Sequence, residues 1–179
     1  MRKRLQEEDP HQDLLVMFQD EAGFGRISKP KSCWTPLERP IVPSHHIREY
    51  RYAYGAVGPQ NGDCFFLVLP RSNTACMNIF LSELSQYYEN NHIVLICDNA
   101  SWHKSKALII PNNVTILHIL PYTPEMNPIE QIWNEIRKRG FANKLFHTLE
   151  AVVDQLCETM MSFTPEDIQS ITHREWVLG

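Results

Sequence analysis

Hydrophobic positions in this chain form short unbroken runs in its first two thirds and spaced stripes in its last third. Residues 14–18 are an apolar run of strand length that gives way to Gln19-Asp20-Glu21 and then to Gly23-Phe24-Gly25. This reads as a buried strand that delivers carboxylates at its exit, followed by a turn. Residues 28–48 carry Pro30, Pro36, Pro40 and Pro43 without periodicity, which predicts a long loop or open hairpin anchored by Trp34. Residues 50–57 and 63–69 are aromatic and β-branched and are joined by Gly58-Pro59-Gln60-Asn61-Gly62, the composition of a hairpin connection. Met77, Phe80, Leu81, Leu84 and Tyr88 then recur at helical spacing, with Asn90-Asn91 as the stop. Residues 93–97 predict a buried strand ending at Asp98, and residues 114–119 another strand after Pro111-Asn112-Asn113. A short helix is expected between them over 102–108. Helices follow over 128–139 and 149–163, and a last short one starts at Thr164-Pro165-Glu166-Asp167, where Thr caps and Pro takes the first turn.

Strand, hairpin, helix, strand, strand and helices in that order predict an α/β fold: a mixed sheet with helices on both faces and sites beyond strand ends. The length of 179 residues suits one domain. We expect an N-terminal extension over 1–12 and the folded domain over 13–179. A content of 43% hydrophobic and 21% charged residues is that of a packed globular protein. The net charge of −4 argues against nucleic-acid binding by bulk positive charge alone. Five cysteines without a CxxC pair argue against a zinc knuckle or a disulfide framework. Neither a signal peptide nor an apolar run of membrane-spanning length is present, so a reducing, cytoplasmic setting is expected and no membrane partner.

Three carboxylates carry the chemistry. Asp20 and Asp98 each follow a core strand, and Glu130 lies in the first turn of the helix that comes after the next strand. Oxygen-only donors of this kind suit Mg²⁺ or Mn²⁺ and, with them, phosphoryl transfer without a covalent protein nucleophile. Each also has a plainer role open to it. An Asp at a strand exit often only forms a turn, and Asn127-Pro128-Ile129-Glu130 fits a capping box, the role that spacing alone favours for Glu130. Ile129, Ile132, Trp133 and Ile136 form the stripe that packs on the sheet, which leaves Glu130 at its margin with Asn134, Arg137 and Lys138 further along the helix side. Those three residues, together with Asn99, His103 and Lys104 next to Asp98, are candidates for contact with a phosphate backbone. His45-His46 and Gly23-Phe24-Gly25 lack the spacing of a metal site or a dinucleotide loop and are read as structural.

Three segments resemble the motifs of DDE transposases, nearest to the bacterial insertion-sequence branch of the mariner superfamily. They are Phe18-Gln19-Asp20-Glu21-Ala22-Gly23-Phe24, then Ile96-Cys97-Asp98-Asn99-Ala100-Ser101-Trp102-His103-Lys104-Ser105, and finally the stretch from Leu120-Pro121-Tyr122 to Asn127-Pro128-Ile129-Glu130-Gln131-Ile132-Trp133. The last is the most specific. The resemblance implies a ribonuclease-H-like fold and an Mg²⁺-dependent enzyme, with Mn²⁺ as a substitute, that cuts transposon ends and joins them to target DNA. It assigns the catalytic and metal-binding roles to Asp20, Asp98 and Glu130, DNA as partner, and a homodimer as the working state. Family members usually carry an N-terminal helix-turn-helix region, and none is expected in this chain. The competing expectations are a non-catalytic remnant that serves as a DNA-binding or dimerisation module, and a ribonuclease-H-type enzyme acting on hybrids.

Overall fold

The longest strand occupies the middle of the sheet. The computed structural model describes residues 13–27, 32, 46–98, 105–119 and 126–173. In it β1 (Asp13–Gly25), β2 (Tyr50–Gly58), β3 (Asp63–Leu69), β4 (Asn91–Cys97) and β5 (Val114–His118) form one sheet ordered β3-β2-β1-β4-β5. β1, β2 and β3 pair antiparallel, while β4 pairs parallel to β1 and β5 parallel to β4. Helix α1 (Thr74–Tyr87) carries the chain from the edge strand β3 across to β4. Its Met77, Phe80, Leu81 and Leu84 bury against Leu15, Met17, Tyr54 and Leu95 on one face of the sheet.

The opposite face carries α2 (Ile129–Ile136), α3 (Leu149–Met161) and α4 (Pro165–Thr172). Ile129, Ile132, Trp133, Ile136, Val152, Leu156 and Ile168 close there over Phe18, Ala22, Phe24, Ala53 and Val57. Strand alternation explains the division, since even positions of β1 face α2 and odd positions face α1. The expected mixed sheet with helices on both faces is therefore present. A π-helical turn over Arg137–Phe141 continues α2, and Gly140 lets it approach α3, where an added Cβ would stand 2.5 Å from Thr159 Oγ1.

Two local expectations fail. Gly23-Phe24-Gly25 is not a turn, because β1 runs through it and pairs Gly23 with Tyr52 and Gly25 with Tyr50. Gly25 makes room for a tyrosine ring across the ladder, since a Cβ on it would lie 2.6 Å from Tyr50 Cε1. The helix expected over 102–108 is also not seen where it can be checked. Residues 105–108 form a turn closed by Leu108 N–H to the Ser105 carbonyl at 3.0 Å, and residues 99–104 lie outside the described residues. So do the N-terminal extension and nearly all of the proline loop with Trp34. Among the described residues, no helix is long and apolar enough to cross a membrane.

Candidate active site

The site is built where β4 stops and β1 continues. Parallel pairing between them ends at Phe18↔Ile96, two residues short of Asp20 on β1 and of Asp98, the residue that follows β4. Phe18 and Ile96 both belong to the α2 side, so alternation along β1 places Asp20 on that side as well. Asp20 is thus not at a strand exit, as the sequence suggests, but in mid-strand. Its parallel neighbour β4 has ended at Cys97, while β2 still pairs with it through Gly55. Past Cys97 the chain stays tied to β5, with His118 Nδ1 at 2.9 Å from the Asp98 carbonyl and Ile119 N–H donating to the Cys97 carbonyl at 2.9 Å.

Helix α2 supplies the third carboxylate and anchors the first. Trp133, fully buried, donates from Nε1 to Asp20 Oδ2 at 2.9 Å. Glu130 stands one turn earlier on the same helix. The capping box expected at this helix is absent: the Asn127 side chain makes no cap bond, although its carbonyl accepts from the Glu130 N–H at 3.2 Å, and Pro128 occupies the cap position. The Asn127 amide instead donates from Nδ2 to the Gln19 carbonyl at 3.0 Å, across 108 positions of sequence. The tertiary acceptor on β1 wins over the local one, and Glu130 is left without a capping duty. Asp20 faces Gly55, where an added Cβ would sit 2.7 Å from Trp133 Cη2 and 2.8 Å from Phe66 Cε1. Gly55 is what allows the indole to lie over the strand. Sequence reasoning gave Trp133 only a packing role and did not single out Gly55. The available signal was that a buried indole N–H requires an acceptor.

The electrostatics tie Asp20, Glu130 and Arg137 together. Burial, and next to it the negative charge of Glu130, push the Asp20 carboxyl up to about 7 against the pull of the Trp133 hydrogen bond. Arg137 lies over the Phe24 ring at 4.9 Å. Burial lowers its guanidinium, while the negative charges of Glu130 and Asp20 act to raise it. The other expected contacts on this helix divide. Asn134 and Lys138 are exposed, and Lys138 pairs with Glu135 at 3.4 Å. Arg139 is drawn away to Glu135 and Asp167. Asn99, His103 and Lys104 lie outside the described residues. On the α1 side of β1, Gln19 Nε2 donates to Glu21 Oε1 at 2.8 Å and Ser72 Oγ to Glu21 Oε2 at 3.5 Å, which holds that acid away from the Asp20 face.

The donor set fits a hard divalent cation. Asp20 and Glu130 offer oxygen only, they repel one another, and a cation between them would relieve that repulsion. Among the described residues, no three His, Cys, Asp or Glu side chains are drawn together closely enough to hold a metal ion. Asp98 follows directly on the end of β4, the parallel neighbour of β1.

Comparison with known proteins agrees with this geometry. Residues 15–153 match the family described as DDE superfamily endonuclease. The uncharacterized protein y4pE/y4sA of Sinorhizobium fredii (strain NBRC 101917 / NGR234) is 35% identical over 130 residues, which is 71% of this chain and 96% of that protein. Among solved structures, the Mos1 strand transfer complex is similar with a TM-score of 0.67 at 16% identity, covering 96% of this chain and 53% of that one. The Mos1 mariner paired end complex with Mn gives a TM-score of 0.68 at 16% identity, covering 96% and 54%. The fold is the ribonuclease-H-like one that the motifs imply. The chain spans about half the length of the Mos1 chains it matches.

Proposed function

Since the chain belongs to the DDE superfamily endonucleases, we propose that it is a metal-dependent transposase catalytic domain, which hydrolyses phosphodiesters at transposon ends and joins the freed 3′ ends to target DNA. The observation that carries this reading is the position of Asp20 on the central strand, tethered by the Trp133 N–H, with Glu130 one turn away on the same helix. Asp20, Asp98 and Glu130 would hold Mg²⁺, or Mn²⁺ in its place. When bound, such an ion activates the attacking oxygen and neutralises charge that develops on the phosphate.

The chain's own residues do the rest. Asp20 must be ionised to act as a ligand, and the Trp133 hydrogen bond favours that form while fixing the carboxylate's orientation. Arg137 supplies positive charge next to the carboxylates, where an incoming phosphate would otherwise be repelled. Asn134 and Lys138, exposed along the same helix, would touch the DNA backbone, and Asn99, His103 and Lys104 would extend that contact from the Asp98 side. Two copies acting as a homodimer would serve the two ends of one element.

The test is Mg²⁺-dependent cleavage of duplexes taken from the ends that flank the gene. Asp98→Asn is expected to reduce cleavage to background while circular dichroism and melting show a folded chain; retained cleavage overturns the assignment. A folded wild-type chain that binds DNA but neither cleaves it nor takes up Mn²⁺ would instead be a non-catalytic module.

A further inference from the structure

The start of α2 grips β1 at two consecutive residues. Asn127 donates to the Gln19 carbonyl and Trp133 to the Asp20 carboxylate, at 3.0 and 2.9 Å, and Glu130 lies midway between them in sequence. The Gln19 carbonyl belongs to the peptide unit whose nitrogen is that of Asp20. One contact therefore fixes the backbone that carries the first carboxylate, and the other fixes that carboxylate's rotation.

Packing does not account for Asn127. Its side chain is 4% exposed, its Oδ1 has no hydrogen-bond partner among the described residues, and it leaves its own helix uncapped. Among the described residues, one side-chain hydrogen bond at the expense of a buried unsatisfied acceptor is a poor exchange for stability, and an apolar residue would fill the space without it. The exchange makes sense if the spacing between α2 and β1 is what the amide secures. Trp133 is comparable. Its ring fills the volume under Phe24 and Phe66, but a phenylalanine would also be apolar there, and only the indole N–H engages Asp20.

We propose that Asn127 and Trp133 are positioning residues, a two-point clamp that sets the separation and orientation of the Asp20 and Glu130 carboxylates so that both engage the same divalent ion. The inference rests on the metal-dependent reading above. Partners that orient ligating side chains ordinarily change metal affinity about tenfold or more when removed.

The experiment measures Mn²⁺ binding to the whole chain by the loss of the free-ion electron paramagnetic resonance signal, with melting of the metal-free protein alongside. Trp133→Phe and Asn127→Ala are each expected to weaken Mn²⁺ binding about tenfold while remaining folded. The double variant should lose less than the product of the two, because both act on one spacing. Raising Mn²⁺ should restore their cleavage rate but not that of Asp20→Asn. Val152→Ala, a packing change on α3, should lower the melting temperature and leave the Mn²⁺ affinity of the folded protein unchanged. If folded Trp133→Phe and Asn127→Ala bind Mn²⁺ as the wild type does, the clamp is overturned and the metal site stands. If wild type and Asp20→Asn take up Mn²⁺ alike, the metal reading itself falls and the clamp falls with it. Should Asn127→Ala fail to fold, Asn127→Ser and Trp133→Phe decide the matter.

Discussion

A carboxylate set between Phe18 and Ala22 on the helix-covered face of a strand is costly when charged, and Asp20 shows the cost directly. Its carboxyl is raised from 3.8 to about 7 by burial and by Glu130. The native state therefore holds a proton that the unfolded chain releases near pH 4, and the associated stability is present below that pH and lost as pH rises through 7. For metal-free protein this amounts to roughly 4 kcal/mol between pH 4 and pH 8. Urea midpoints measured in EDTA should fall across that range for the wild type and stay nearly flat for Asp20→Asn, which should also be the more stable of the two at pH 8 while being inactive. A wild-type curve without this fall would show that Asp20 is not held in the environment described. Gly55 gives the complementary prediction. Gly55→Ala places a methyl against the Trp133 and Phe66 rings, an overpacking that costs about 1–3 kcal/mol, and it should lower cleavage further than the stability loss explains, because the indole is displaced from Asp20. The three carboxylate positions could be nominated from sequence because an acid that ends an apolar run or opens a helix is a local signal, even though the run that Asp20 ends continues as strand to Gly25. The Trp133 hydrogen bond and the need for Gly55 could not, because each is defined by a partner more than seventy residues away.

Elements were legible in proportion to how local their signals are. The hairpin of β2 and β3, the α1 stripe and the Thr164 cap of α4 stand where periodicity and turn chemistry put them. The extension of β1 to Gly25 depends on pairing with β2 across the long connection, and the missing cap of α2 depends on the Gln19 carbonyl, so neither is written in neighbouring residues. Helix α1 offers a control for the site, since it lies on the other face of the sheet. Asn73 caps it by accepting from Cys76 N–H at 2.9 Å, and Asn73→Ala should cost about 1 kcal/mol. Thermal melting should register this loss, while Mn²⁺ affinity and the cleavage rate of the folded protein should remain those of the wild type. A fall in metal affinity would mean that the two faces of the sheet are coupled more tightly than their separate cores indicate.

At the scale of the whole molecule, 17 basic residues stand against 21 acidic ones, so the long-range field repels DNA and attraction has to be local. On the proposed function, the carboxylates that would hold a cation would also meet the phosphate. Binding of a duplex should thus depend on neutralising the site. In EDTA near physiological salt and at pH 8, where Asp20 is mostly ionised, fluorescence anisotropy should show weak binding. Ca²⁺, which occupies oxygen sites, should tighten it about tenfold or more, equivalent to removing ~1.4 kcal/mol of repulsion. The double variant Asp20→Asn with Glu130→Gln removes two negative charges without adding a contact, so it should bind better than wild type in EDTA and respond little to Ca²⁺. Equal affinity in all four conditions would place the DNA on a surface away from these carboxylates, and the exposed residues of α2 would then have no part in holding it.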